Sequence, residues 1–318
     1  MTSFLDNLLF SASITGPICL MLFLGIYFRR SGLIDAHFIE VASKLVFNVT
    51  LPALLFLSIM NSSHDFFASA SLVAFGVLGN IIYFILLTLV TNNIFAEGND
   101  QGVIVQGALR GNVAIIALAY VSNAYGNDGL AIAALYVAGI TLLYNVLGVI
   151  SLTPKSNHST RQAVPILIKS LTKNPLIIAI IGGLIFSQLQ LTMPKIATDA
   201  GRYFANMTLP LALICGGGSL DWKQLSADKG SAWFATIVKL LISPILFTGS
   251  ALLFGFRGLE LGIIFLTSSA PAAAVSFVMA KAMGANATLA ANIIVLTTLL
   301  SMISSTVGIF LLSSFSLI

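Results

Sequence analysis

With 318 residues, 58% of them hydrophobic and 8% charged, and a mean hydropathy of +1.00, the chain departs sharply from a soluble domain, in which about a quarter of residues carry charge. A spanning helix takes about 20 apolar residues, so this length holds about ten spans of ~21 and leaves ~100 residues for connections. That excludes a large extramembrane catalytic unit or nucleic-acid module, and the net charge of +4 reads first as topology charge in loops.

Apolar windows set against polar and Gly/Pro punctuation predict ten helices, at 8–28, 39–60, 67–91, 102–124, 129–151, 174–191, 196–219, 231–255, 259–283 and 287–314. The first follows Asp6 and precedes Arg29-Arg30, the reverse of a secretory signal, and is expected to remain as a span. Cys19 and Cys215 lie in apolar segments without a CxxC pair, so no redox motif, metal site or cofactor is expected. The single long connection, 152–173, is basic: Lys155, His158, Arg161, Lys169 and Lys173. It shares its side of the membrane with Arg29, Arg30, Lys44, Lys223, Lys229 and Lys281, against Lys195, Arg202 and Arg257 opposite. The positive-inside rule then places the central loop in the cytoplasm and both termini outside an inner (plasma) membrane.

The second half of the chain copies the first. Asn48-Val49-Thr50-Leu51-Pro52 returns as Asn206-Met207-Thr208-Leu209-Pro210, an offset of 206 − 48 = 158. The same offset carries Pro17 to Pro175, Gly25 to Gly183 and Gly126 to Gly284. One offset serving four places marks a duplication. Each copy, 1–151 and 174–318, holds five spans, and an odd number makes the second enter from the opposite side. The fold class is therefore an all-α membrane protein of two inverted five-helix repeats, an architecture of secondary transporters, in which matching interrupted helices mark the substrate site.

Two pairs of positions interrupt the helices. Pro52 and Pro210 each remove a backbone hydrogen bond inside a long apolar segment and are read as kinks or hinges that also pack. The fourth helix carries Gln106-Gly107-Ala108-Leu109-Arg110-Gly111-Asn112, and its repeat partner, the ninth, carries Thr267-Ser268-Ser269-Ala270-Pro271-Ala272. Irregular backbone at membrane depth is tolerated only within protein or beside a watery cavity. Two helices broken at one depth from opposite sides would cross there and leave N–H ends that attract anions and C=O ends that attract cations. The candidate substrate-binding residues are Arg110, Gly111, Asn112 and Val113 on one side and Ala270, Pro271 and Ala272 on the other.

The acids Asp6, Asp35, Glu40, Asp65, Glu97, Asp100, Asp128, Asp199, Asp221, Asp228 and Glu260 all fall in loops or at helix ends, so an ion-coupled cycle lacks the usual mid-membrane carboxylate. Arg110 and Lys239 instead fall inside spans, which favours an anionic substrate; Lys239 could equally snorkel to the cytoplasmic face. His37, His64 and His158 sit in loops, leaving an intramembrane hydrolase or metalloprotease without its histidines. No P-loop is present, which removes ATP as a direct energy source. The alternatives to an anion carrier are a sodium-coupled symporter and, from another class, a channel-like or sensory membrane protein.

Asn48-Val49-Thr50-Leu51-Pro52-Ala53, Arg110-Gly111-Asn112 and Ser269-Ala270-Pro271-Ala272-Ala273, followed by Gly284, resemble the auxin efflux carrier family, which contains plant PIN-type carriers and bacterial permeases for malonate or malate. The resemblance covers nearly the whole chain. It implies the fold shared with bile-acid symporters and sodium/proton antiporters: scaffold helices at 1–60 and 174–219, transport-domain helices at 67–151 and 231–314, and a crossover of helices four and nine. It also implies elevator-like motion and a homodimer through the scaffold. By similarity Asn112 is the crossover asparagine and Pro271 the crossover proline. One departure stands out: the family's proline in the fourth helix is missing between Gly102 and Gly126.

Overall fold

The computed structural model describes residues 4–61, 69–95, 98–153, 174–220 and 229–318, and its regular elements are helices. The basic connection predicted at 152–173 lies outside these residues from position 154, as do His64, Asp65, Glu97, Asp221, Lys223 and Asp228.

Helix α1 (Phe4–Arg30) starts with Asp6 in its first turn and ends on Arg29 and Arg30, charges that suit the two ends of the helix dipole. After Gly32, at φ 78°, Asp35 accepts a 2.7 Å hydrogen bond from the Phe38 N–H and caps α2 (Ala36–Met60). A π-turn at Val46–Thr50 widens α2 just ahead of Pro52. That wider turn accommodates the ring and the missing N–H, and the helix continues to Met60. Pro210 lies inside α7 (Lys195–Gly218), which is likewise continuous. Neither proline ends its helix; the interruptions lie elsewhere.

Helices α3 (Ala70–Ile94), α4 (Asn99–Leu109) and α5 (Val113–Leu152) follow. The segment predicted as a single helix at 102–124 is split, α4 stopping at Leu109 and α5 starting at Val113. Within α5, Gly126 adopts φ 62° and ψ −151°, a kink between helical stretches 113–125 and 127–152. After α6 (Pro175–Gln188) and α7 come α8 (Gly230–Leu253), α9 (Gly258–Ser268), α10 (Val275–Ala282) and α11 (Ala287–Ser314). The predicted 259–283 helix is split as well, between α9 and α10.

Helix α1 packs along α7, and the second half of α2 packs on α6 and α7. These contacts depend on glycine. A Cβ at Gly25 would strike the Ile214 carbonyl, one at Gly217 the Leu22 carbonyl, and one at Gly183 would approach the Phe56 carbonyl to 3.1 Å. Helices α3 and α9 pack on α5, α8 packs on α4, α9 and α11, and α10 packs on α11. Positive φ values recur with the sequence offset: Gly32 (78°) and Gln190 (51°), then Gly126 (62°) and Gly284 (71°), both 158 positions apart.

Among the described residues, α1, α2, α3, α5, α8 and α11 are long and apolar enough to cross a bilayer. Their outer faces are apolar, with Leu78, Ile82 and Leu89 of α3, Ile245 of α8 and Ile303 and Val307 of α11 exposed. Polar side chains such as Asn80, Gln106, Thr297 and Ser301 are buried instead. A protein whose helices present apolar surface outward and polar groups inward is built for lipid. This is a multi-pass membrane protein.

Candidate functional site

The site begins where two helices stop. Arg110 leaves α4 in an extended conformation (φ −80°, ψ 100°), while Asn112, at φ −78° and ψ 63°, precedes α5. On the other side α9 ends at Ser268, and Pro271, which lacks an N–H and restricts its predecessor, keeps the chain irregular until α10. The two short extended stretches pair antiparallel, Gly111 opposite Ala272. Asn112 N–H donates to the Pro271 carbonyl at 2.7 Å, and Ala273 N–H donates to the Arg110 carbonyl at 3.0 Å. Backbone groups released by both breaks thus satisfy one another in the protein interior, as burial demands. Gly107-Ala108-Leu109-Arg110-Gly111-Asn112 forms this pairing without a proline of its own. Its partner strand supplies the acceptor, and the helix restarts with a π-turn, Val113–Ala117, in which the Asn112 carbonyl accepts from Ile116 and Ala117.

The predicted residues Arg110, Gly111, Asn112, Val113, Ala270, Pro271 and Ala272 therefore come together. The Asn112 side chain is half-buried, does not cap the helix it precedes and has no hydrogen-bond partner among the described residues. Arg110 is 6% exposed, and its guanidinium turns toward α5 and α10. It donates to Asn145 Oδ1 at 2.8 Å, Met279 Sδ at 3.0 Å and the Tyr144 carbonyl at 3.4 Å. A guanidinium has five N–H groups, so donors remain for a further acceptor. Lys239 is 1% exposed and does not snorkel. It lies in a π-turn of α8, Val238–Ile242, and its Nζ sits 3.4 Å from the Leu109 carbonyl at the end of α4. Among the described residues Arg110 and Lys239 are the buried charged side chains, and no Asp or Glu is buried with them. Pro52 and Pro210 stand apart from the pairing, in α2 and α7.

Several participants carried no mark in the sequence reading. Thr297 of α11 accepts the Ala272 N–H at 3.0 Å and so anchors the crossover to a third helix. Asn145 and Tyr144 of α5 hold Arg110, and the Tyr144 hydroxyl donates to Asn80 Oδ1 at 3.1 Å. A lone asparagine within a transmembrane apolar stretch, as at 80 and 145, is the signal that points to such positions. Two small cavities flank the crossover. One is lined by Asn80, Tyr136, Tyr144, Ser243, Thr267 and Ser268. The other lies where Leu55 of α2 and Asn174 and Ile180 beside and on α6 meet Ala114 and Thr141 of α5.

The chain matches the family described as membrane transport protein over residues 15–309. It belongs to this family, the auxin efflux carrier family. An uncharacterized transporter of Methanothermobacter thermautotrophicus is 24% identical over 291 residues, covering 90% of this chain and 93% of that one. An uncharacterized transporter of Methanocaldococcus jannaschii is 22% identical over 296 residues, covering 90% and 94%. Transport across a membrane, rather than catalysis, is the function this membership gives this family member.

Proposed function

We infer that the protein is a secondary carrier of a small organic anion such as a carboxylate, working by alternating access with the crossover as its binding element. The observation that carries this reading is the meeting of two broken helices beside two buried cations, with no buried carboxylate among the described residues to neutralise them. An anion that accepts from spare Arg110 donors, the Asn112 amide and the N-terminal turns of 113–125 and α10 offsets that charge.

Ten passes in two inverted repeats account for the elements. The 40 residues of α5 would span about 60 Å if straight, about twice the hydrocarbon core, and the Gly126 kink divides them into two passes. The matching φ values at Gly32/Gln190 and Gly126/Gly284, and the matching breaks at 110–112 and 269–274, support the repeat. Packing of α1 and α2 with α6 and α7 supports a scaffold, against which α3–α5 and α8–α11 move as an elevator. Both termini then lie outside a plasma membrane, with the basic connection in the cytoplasm.

Uptake of labelled malonate and malate into proteoliposomes tests the reading. Losing one hydrogen bond to a charged ligand costs about 1.5–3 kcal/mol, so Asn112→Ala is expected to lower uptake about 10- to 100-fold. Undiminished uptake in both Asn112→Ala and Arg110→Met carriers, with folding intact, refutes it.

A further inference from the structure

The Lys239 amine lies at the carbonyl end of a helix that stops inside the protein. Helix α4 ends at Leu109, inside the protein, and the last carbonyls of a helix form the negative end of its dipole. Lys239 Nζ lies 3.4 Å from the Leu109 carbonyl. The amine also fills the space beside Gly111, where a Cβ would stand 3.1 Å from Nζ and 3.4 Å from the Thr267 carbonyl. The ammonium thus lies beside the point where α4 and α9 both break off. The side chain starts from a π-turn, a local widening that recurs at functional sites. The carbonyl of Val238, in the same turn, is 3.5 Å from the Tyr83 hydroxyl that donates to it. No Asp or Glu is buried nearby among the described residues, so the helix end and its carbonyls are the electronegative surroundings of this charge.

We propose that Lys239 is a tethered counter-cation that fills the cation position of the crossover, so that the carrier binds its anion without a coupling sodium ion. The proposal rests on the reading of the crossover as the transport site. It assigns Lys239 a positioning role: the amine holds the end of α4 and the pairing of Gly111 with Ala272, while the anion is met by other groups. A Cβ at position 111 would press on the amine at 3.1 Å.

Thermal unfolding of the purified protein in sodium chloride and in choline chloride tests this without a known substrate. The wild type is expected to melt at the same temperature in both salts. Lys239→Ala lacks three methylenes and the amine, the outline of n-propylammonium. It is expected to melt lower in choline chloride and to regain at least half of the lost Tm in n-propylammonium chloride. Lys239→Met fills the same space without charge and is expected to show no such recovery, which separates lost charge from lost packing. Stabilisation of the wild type by sodium over choline overturns the proposal, as does a Lys239→Ala protein that neither cation stabilises. Should Lys239→Ala fail to fold, the wild-type comparison and malonate uptake in sodium-free medium still decide: uptake that demands sodium overturns the proposal. A wild type that transports no anion refutes the carrier reading instead, whatever its response to cations.

Discussion

Replacing Asn145 by Leu is the sharpest probe of how the crossover tolerates a buried charge. Arg110 is 6% exposed, and its shortest bond runs 2.8 Å to Asn145 Oδ1; the remaining acceptors are a thioether and a carbonyl at 3.4 Å. Removing the amide oxygen deprives a charged donor of a neutral acceptor, a loss of about 2 kcal/mol. At the usual unfolding entropy per residue, that lowers the Tm of a 318-residue chain by about 3 °C. Arg110→Met in the wild-type background takes the charged donor away from Asn145 Oδ1 and is expected to cost a similar amount. When both partners become apolar, the charge and its desolvation vanish together, so the Arg110→Met/Asn145→Leu protein should return to within about 1 kcal/mol of wild type. Fluorescence-detected thermal unfolding of the four proteins gives the coupling directly. Two single effects that simply add in the double variant, or an Asn145→Leu protein that melts with the wild type, refute the reasoning. Transport separates from stability here: the double variant should fold well and carry no anion.

Three further outcomes follow from the same contacts. Gly217→Val drives a side chain into the Leu22 carbonyl and should abolish the α1–α7 packing and with it monodisperse protein, whereas Gly216→Ala, whose Cβ would meet Leu22 Cδ2 at 3.5 Å, should elute and melt as the wild type does. Gly126→Ala forces a side chain to φ 62° and ψ −151°, a region that glycine alone populates, and Gly284→Ala forces one to φ 71°, each at about 1–3 kcal/mol, measurable as a lowered Tm. Thr297→Val keeps shape but removes the acceptor of the Ala272 N–H, a loss of about 1–3 kcal/mol; malonate uptake should fall while Thr297→Ser retains it.

The helices were legible because lipid imposes one rule on every span, a run of apolar residues of fixed length. The offset of 158 read in the sequence recurs in the backbone, where Gly126 and Gly284 share a positive φ. The two breaks could be read from Gly111-Asn112 and Pro271, since such residues disfavour a helix in any context. What could not be read was the far side of each contact. Nothing local distinguishes Thr297 from the other hydroxyls of α11, and only the fold brings it to Ala272. Lys239 lies roughly a third of the way along α8, where a long side chain can reach the membrane surface or turn inward. The choice was made by the end of α4, 130 residues earlier in the chain. The prolines at 52 and 210 stay inside their helices because a π-turn absorbs one and a continuous helix contains the other.

Alternating access requires the crossover to face each side of the membrane in turn. Ala114, half-buried, lies next to the crossover and lines the cavity shared with Leu55 of α2. Ala114→Cys in a carrier with Cys19→Ser and Cys215→Ser, in oriented proteoliposomes and still active in uptake, can be labelled with a membrane-impermeant thiol reagent added to one side or the other. Alternating access predicts labelling from both sides, slowed from both by the transported anion. Labelling from one side only in a carrier that turns over would contradict it.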